Sequence, residues 1–221
     1  MERYFPQKGE IHFAGALENN EDTGTLQYLA STAMEAGFST RVLDMQALDL
    51  QNGRFFDPAG ELVNRCFKLY PWEWMVDESP DGCLAEMEWL EPIWKLVMSN
   101  KAILATLYEL FPDSPYVLPC YLSRPRSGLF CKKPIFSREG HNVSVVDIRD
   151  WEEYVRIAET EGDYNTGAYV YQEYVEPTAY SGRYPVIGSW IIGGEAAGIG
   201  IRENRMEVTD NLSEFVPHII G

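Results

Sequence analysis

The stretch Lys133-Pro-Ile-Phe-Ser-Arg-Glu-Gly-His-Asn142 joins two apolar segments of the chain, residues 129–133 and 143–147. Because Pro134 has no backbone N–H to donate to a sheet, we expect the first segment to be a strand that ends there. The second segment has the composition of another strand. Between them lie three residues that favour tight turns with free backbone N–H groups: Ser137, Gly140 and Asn142. The sequence therefore predicts a strand, a polar turn and a second strand.

Two cations, Lys133 and Arg138, flank this turn. Backbone N–H groups, the point charge of a lysine and the planar fork of an arginine together suit a polyphosphate. The same local pattern also occurs in ordinary solvent-exposed hairpins, so the turn residues alone leave both interpretations open.

The charge of the chain limits its partners. Its 221 residues carry a formal net charge of −16, which would repel nucleic acids and anionic membranes. We expect small-molecule substrates, and nothing in the sequence implies a protein partner. An acidic surface would favour a polycationic amine, although solubility explains the charge more simply. An anionic ligand would need the cations that concentrate in mid-chain: Lys101, Arg124, Arg126, Lys132, Lys133 and Arg138.

The spacing of the cysteines and the length of the apolar runs indicate the cellular compartment of the protein. Cys66, Cys83, Cys120 and Cys131 form no Cys-x-x-Cys pair and have no histidine at metal-ligand spacing. We therefore expect reduced thiols in a cytoplasmic protein. No apolar run reaches the roughly 18 residues of a membrane-spanning helix, and residues 1–8 lack the apolar core of a signal peptide.

The first part of the chain predicts a small parallel unit followed by a hairpin. The predicted strand, helix, strand and hairpin lie at residues 11–17, 23–36, 39–45 and 51–60. Asn19, Asn20 and Thr23 could hold an anion at the helix start, but plain capping is the simpler interpretation. We expect one domain at residues 1–64 and a second at residues 65–221.

The second part predicts helices mixed with antiparallel strands. Helical spacing indicates helices at residues 84–97, 101–111 and 150–158. Runs of β-branched and aromatic residues indicate strands at residues 116–118, 168–175, 185–193, 196–202 and 206–209. Gly193-Gly194 predicts a tight turn in this last group, and the apolar tail around His218 is expected to pack. The predicted fold class is α/β (α+β).

Several stretches resemble the glutathionylspermidine synthase family, a group of ATP-grasp acid–amine ligases. One matching segment is the turn described above. The resemblance extends from about residue 11 to the C-terminus, and it is closest to the bacterial members that lack the amidase domain. Its other matching segments are Phe67-Lys-Leu-Tyr-Pro-Trp-Glu-Trp-Met75, Glu91-Pro-Ile-Trp94 with Ser99-Asn-Lys-Ala-Ile-Leu104, Tyr171-Gln-Glu173, and Ile187-Gly-Ser-Trp-Ile191 with Gly198-Ile-Gly-Ile-Arg-Glu203. It implies ATP-grasp-like antiparallel sheet lobes preceded by the small parallel unit.

The resemblance also implies an activity that joins a peptide or amino-acid carboxylate to an amine through an acylphosphate, with ATP and Mg²⁺. It implies that Lys101, Lys133 and the turn residues Ser137, Gly140 and Asn142 contact the nucleotide phosphates. Gln172 and Glu173 would lie at the adenine edge, and Arg138 and Arg202 near the transferred phosphoryl group or the substrate carboxylate. Glu73 would contact the substrate. A non-catalytic nucleotide- or peptide-binding module is the alternative, and locally each residue also fits an ordinary surface or capping role.

The chain departs from the family in its metal-binding segment. That segment contains an Arg-Phe-Asp and a Glu-Tyr-Asn-Ala-Asp motif, and neither occurs here, although magnesium needs such hard oxygen ligands. The chain therefore resembles the C-terminal part of a longer ligase, with its metal ligands expected mainly outside these residues.

We expect these 221 residues alone to be weak or inactive as a ligase, because a complete magnesium site is missing from their sequence. The check is ADP release from ATP with and without Mg²⁺. Robust magnesium-dependent turnover by this chain would contradict the expectation.

Overall fold

The chain divides into two compact units, Met1–Val97 and Met98–Gly221, in a computed structural model that describes residues 8–150, 153–164, 167–210 and 212–219. The expected domain boundary at residues 64/65 lies inside the first unit. The reason is that strand Arg65–Leu69 pairs in parallel with strand Glu10–Gly15 and so continues the N-terminal sheet.

The first unit is a small α/β structure. Its strands are β1 (Glu10–Gly15), β2 (Ser39–Asp44), β3 (Asp49–Gln51), β4 (Arg54–Phe56), β5 (Leu62–Val63), β6 (Arg65–Leu69) and β7 (Glu88–Leu90). Its helices are α1 (Asn20–Glu35), α2 (Trp72–Glu78) and α3 (Pro80–Cys83), with 3₁₀ turns at Met45–Ala47 and Ile93–Lys95. Helix α4 (Leu96–Ser99) spans the boundary between the units.

A four-stranded parallel sheet in the order β2-β1-β6-β7 organises this unit, and it confirms the predicted parallel unit. Side chains alternate along β1, so Ile11 and Phe13 face α1 whereas Ala14 joins a core on the opposite side. The antiparallel sheet β3-β4-β5 and helix α2 supply that second core. Both faces of the parallel sheet are therefore covered, as such sheets require.

The second unit consists mainly of antiparallel strands. They are β8 (Cys120–Tyr121), β9 (Gly128–Pro134), β10 (Ser144–Ile148), β11 (Tyr154–Glu159), β12 (Tyr169–Glu173), β13 (Tyr184–Ile192), β14 (Glu195–Asn204) and β15 (Glu214–Val216), preceded by helix α5 (Ala102–Leu110). The first five form a sheet in the order β11-β10-β9-β12-β8, and the last three form a separate sheet. Together with the first unit, this confirms the mixed α/β (α+β) class.

Helix α5 covers one face of the five-stranded sheet through Ala105, which packs against Cys120 and Val170. Phe130, Val146 and Ile148 pack together in a separate cluster. The predicted strand–turn–strand around Gly140 is confirmed, because β9 and β10 pair antiparallel through it. No helix among the described residues is long and apolar enough to cross a membrane.

The predicted helix at residues 84–97 is wrong. Residues 88–90 form the edge strand β7, in which Trp89 is 7% exposed and packs edge-on against Trp72 and Phe55. Pro92 disfavours a helical conformation for the residue before it, so a continuous helix would also have been strained there. Trp94, which a helix over residues 84–97 would place on its apolar face with Leu90 and Val97, is 61% exposed.

Two other predicted elements of the second unit are corrected. Residues 154–159 form a strand where a helix was expected, because β-forming residues such as Tyr154 and Val155 pair with the open edge of β10; residues 151 and 152 of that prediction lie outside the described residues. The strand expected at residues 116–118 is a turn, in which the Val117 N–H donates to the Ser114 carbonyl, and β8 follows it.

The C-terminal part of the meander also differs from its prediction. The strand expected at residues 206–209 is replaced by a turn, because the Asn204 side chain accepts hydrogen bonds from the N–H groups of Arg205 and Met206. Strand β15 takes the third place in that sheet. The tail does not pack as expected, since Phe215 is 78% and Ile219 96% exposed. The Gly193-Gly194 turn is confirmed, with positive φ at both residues.

Replacing Trp89 with alanine tests the corrected edge strand. Trp89→Ala should lower the free energy of unfolding by about 3–5 kcal/mol, because it empties a packed aromatic site. Trp94→Ala removes the same side chain from an exposed position and should cost less than about 1 kcal/mol. Urea denaturation followed by circular dichroism measures both free energies of unfolding. If Trp94→Ala lost as much stability as Trp89→Ala or more, the predicted helix at residues 84–97 would be favoured over strand β7.

Candidate functional site

A cavity of about 410 Å³ in the second unit is the candidate site. Strands β9, β10 and β12, the turn after β9 and the segment after β14 line it. It brings together seven residues that the sequence singled out: Lys101, Lys133, Ser137, Arg138, Gly140, Gln172 and Glu173. Asn142 and Arg202 do not line it.

Strand alternation decides which cations reach the cavity. Lys133 and Cys131 lie on one face of β9 and line the cavity, whereas Lys132 lies on the other face with its Nζ 3.9 Å from the centre of the Tyr169 ring. Arg124 stacks over Tyr154, 5.0 Å from the ring centre, beside Lys132 in a separate pocket. The mid-chain cations therefore divide between two places.

Lys101 reaches the turn from helix α5. It occupies the N-cap position, one residue before the first helical turn in which the sequence placed it. Its Nζ donates to the Ser137 carbonyl and, at 2.9 Å, to the Ser137 hydroxyl. Its backbone N–H donates to the Ile135 carbonyl at 2.7 Å. These bonds fix a positive charge against the turn at the edge of the cavity.

The turn between β9 and β10 has an unusual backbone. Glu139, Gly140 and Asn142 all have positive φ, between 53° and 71°, a region in which Gly and Asn are at little disadvantage. The His141 N–H donates to the Arg138 carbonyl at 2.9 Å. Asn142 was expected to contact phosphates, but its Oδ1 accepts from the Tyr164 N–H at 2.7 Å, so its side chain stabilises the turn.

Gln172 and Glu173 of β12 also line the cavity. The Oε1 of Gln172 accepts a hydrogen bond from Lys133 Nζ at 2.7 Å. The backbone N–H groups of Glu173 and Tyr174 donate to the carbonyls of Pro119 and Leu129. Because these two N–H groups are already bonded to backbone carbonyls, a nucleotide base placed here would need other hydrogen-bond donors.

The segment 207–209, which the sequence placed in a predicted strand but not among the site residues, also lines the cavity. The Tyr174 hydroxyl donates to Glu207 at 2.5 Å, and burial together with this carboxylate raises the pKa of Tyr174. The Gly140 Cα approaches the Thr209 carbonyl so closely that a Cβ would overlap it. No local signal could have found these contacts, because the segment is distant in sequence from the strands it meets.

Apolar side chains complete the wall of the cavity. The period-two spacing from Lys133 could have predicted Cys131. Val145 of the neighbouring strand β10, and Val143 just before that strand, also line the cavity. Burial raises the pKa of the Cys131 thiol, which keeps it uncharged at neutral pH. Leu118, Val175 and Val208 add further apolar surface. The lining of the cavity thus combines cations and carboxylates with apolar side chains.

The remaining predicted residues lie elsewhere. Arg202 is on β14, with its guanidinium 5.8 Å from the centre of the Phe215 ring. Glu73 is in the first turn of α2, in the first unit. In the same unit Lys68 is buried, with 5% of its surface exposed. Its Nζ donates to the Tyr70 carbonyl at 2.7 Å and lies 3.9 Å from the centre of the Trp72 ring. Burial lowers the pKa of Lys68 to about 8, and the carboxylates of Glu91 and Glu73 oppose that change.

The described residues match a nucleotide but not a magnesium ion, the two ligands that the family resemblance implies. A polyphosphate and an aromatic base both find matching surface in the cavity, where cations and apolar side chains meet. Magnesium does not find a matching site, since no group of three or more His, Cys, Asp or Glu side chains among the described residues is arranged to hold a metal ion.

The fold is shared with a known enzyme structure. The crystal structure of D-cycloserine synthetase superposes with a TM-score of 0.52 and 14% sequence identity, covering 88% of this chain and 68% of that one. The sequence then gives the family: the glutathionylspermidine synthase preATP-grasp family matches residues 2–221. The chain belongs to this family.

Relatives with assigned names agree with the family. A Haemophilus influenzae protein provisionally named as an acid–amine ligase is 34% identical over 96% of this chain and 56% of its own length. Trypanothione synthetase of Crithidia fasciculata is 28% identical, over 94% of this chain and 35% of its own. The bifunctional glutathionylspermidine synthetase/amidase of Escherichia coli is 27% identical, over 90% and 36%. The chain thus spans between a third and just over half the length of these relatives.

Alanine at Gly140 tests the contact between the turn and the segment 207–209. Gly140→Ala should destabilise the protein by more than the roughly 1 kcal/mol of an alanine at positive φ, because its Cβ also displaces Thr209. Gly182→Ala is the matched control, with a φ of 76° and no atom within 4 Å of the added Cβ. Urea denaturation and hydrogen exchange at residues 205–210 measure the effects, and equal behaviour of the two variants would contradict the contact.

Proposed function

We propose that this chain is the ATP-binding part of an ATP-dependent carboxylate–amine ligase that forms an amide. The observation that carries the proposal is the convergence of Lys101, Lys133 and Arg138 on one cavity beside a turn with positive-φ residues. The membership of the family and the names of its relatives support the same class of reaction.

The charge distribution supports a nucleotide as the ligand. The chain as a whole is strongly acidic, so a triphosphate would be attracted only where cations concentrate. Lys101 and Lys133 would hold the phosphates as point charges, while Arg138 would offer a planar fork to phosphoryl oxygens. The apolar wall that includes Val145 and Val208 would take the base.

The chemistry that follows is carboxylate activation. A substrate carboxylate oxygen would attack the γ-phosphorus of ATP, the bond from that phosphorus to the bridging oxygen would break, and ADP would leave with an acylphosphate remaining. The amine would then attack the carbonyl carbon and expel phosphate, losing a proton as the amide forms. Such reactions depend on positioning and charge neutralisation, which the fixed cations would provide.

The remaining expected roles are part of the same proposal. Arg202 would act near the transferred phosphoryl group, and Glu73 of the first unit would contact the substrate. Because relatives are named for glutathionylspermidine and trypanothione synthesis, we propose a peptide or amino-acid carboxylate and an amine as substrates. No step is assigned to a magnesium ion, because the described residues do not form a site for one.

A second candidate is a module that binds a nucleotide or peptide without turning it over. The lack of a metal-binding cluster among the described residues favours it for this chain. If its ligand is a nucleotide, this module makes the same prediction for nucleotide binding as the ligase and differs only in turnover.

Lys133 and Lys132 provide a matched test of the nucleotide site, because they are neighbours on β9 that face opposite sides of the sheet. Lys133→Ala should weaken ATP binding by about 10- to 100-fold, the worth of one hydrogen bond to a charged group. Lys132→Ala removes the same charge and should leave the affinity within about twofold. Isothermal titration calorimetry, with and without Mg²⁺, measures both.

Two results would count against the proposal. Equal losses in both variants would indicate a nonspecific electrostatic effect, and no ATP binding by the wild-type chain would remove its basis. A surface-charge effect would also weaken steeply with added salt, whereas binding in a half-buried cavity would weaken less.

A further inference from the structure

The hydrogen bond between Lys133 and Gln172 is built into the register of the sheet. Strands β9 and β12 pair so that Lys133 is opposite Val170 and Gln172 is opposite Cys131. Lys133 and Gln172 are therefore diagonal neighbours on the same face, within reach of a long side chain. Their side chains meet at 2.7 Å, and both residues line the cavity.

Holding the ammonium in place matters because a free lysine side chain samples many rotamers. Its ordering on ligand binding would oppose the binding free energy. Competing partners are also nearby, since the carboxylates of Glu139, Glu173 and Glu207 line the same cavity. A tether that orients Lys133 before the ligand arrives removes the ordering cost and keeps the ammonium from these carboxylates.

The chemical nature of the tether favours this role over simple pairing. The Gln172 amide is neutral, so it orients Lys133 through one acceptor atom and leaves its positive charge available for a phosphate. A carboxylate at this position would instead neutralise the ammonium and repel the phosphate. The Oε1 atom of Gln172 already accepts a hydrogen bond from Lys133. It is therefore not free to accept one from the edge of a nucleotide base.

We infer that Gln172 is a positioning residue that sets Lys133 on the phosphates of a nucleoside polyphosphate, and that it does not recognise the base. This inference rests on the proposed nucleotide site and changes the role that the family resemblance implied for Gln172. It separates the cavity into a phosphate-binding group of Lys101, Lys133 and Gln172 and a base-binding wall that is mainly apolar.

The test compares ADP with adenosine, which lacks phosphates, by NMR titration of this chain. Gln172→Ala should weaken ADP binding about three- to tenfold, as expected for one lost hydrogen bond, and change adenosine binding less than about twofold. Gln172→Glu should weaken ADP binding further, because its carboxylate pairs with Lys133. In a Lys133→Ala background, Gln172→Ala should have almost no additional effect, so the two losses are strongly non-additive.

Different outcomes distinguish this inference from the proposed function. Equal losses for ADP and adenosine in Gln172→Ala, or additive losses with Lys133→Ala, would overturn the positioning role while the nucleotide site stands. Failure of the wild-type chain to bind either ligand would overturn both. Lys132→Ala, which changes the opposite face of the same strand, is the control for a general effect of charge or folding. Its binding of both ligands should match the wild type.

Discussion

The pairing of β9 with β12 is the constraint on which the candidate site depends. It places Lys133 and Gln172 on the cavity face and turns Lys132 towards Tyr169 on the other face. A shift of one residue in this register would exchange the two lysines and remove the charge from the cavity. The buried Phe130, which lies in the apolar cluster on the other face of β9, opposes such a shift, because it would move out of that cluster to the cavity face.

The turn after β9 depends on contacts from three distant parts of the chain. Lys101 holds its Ser137 end, the Tyr164 N–H holds Asn142, and the Thr209 carbonyl packs on Gly140. Positive-φ residues allow the backbone to follow this path. Contacts within the chain thus fix the path of the turn, and a turn held in one conformation loses less conformational entropy on binding an anion.

Elements that depend on a short, continuous stretch of sequence were predicted correctly. The strand–turn–strand, the parallel unit at the N-terminus and the strand at Tyr169–Glu173 were found from local spacing alone. The errors at residues 84–97 and 150–158 share one cause, which is competition from tertiary packing. Trp89 gains more by filling a core between Trp72 and Phe55 than by joining a helix, and residues 154–159 complete an open sheet edge.

The sequence by itself determined the family, the mixed α/β class and most of the cations and polar groups of the cavity, because these follow from residue type and local order. Only the tertiary structure decided that Asn142 serves the turn, that Gln172 holds Lys133, that Arg202 stacks beside Phe215 and that the segment 207–209 closes one side of the cavity. Those outcomes depend on sheet register and on contacts between residues far apart in the chain. Local periodicity specifies which way a side chain faces, but not the partner that it meets there.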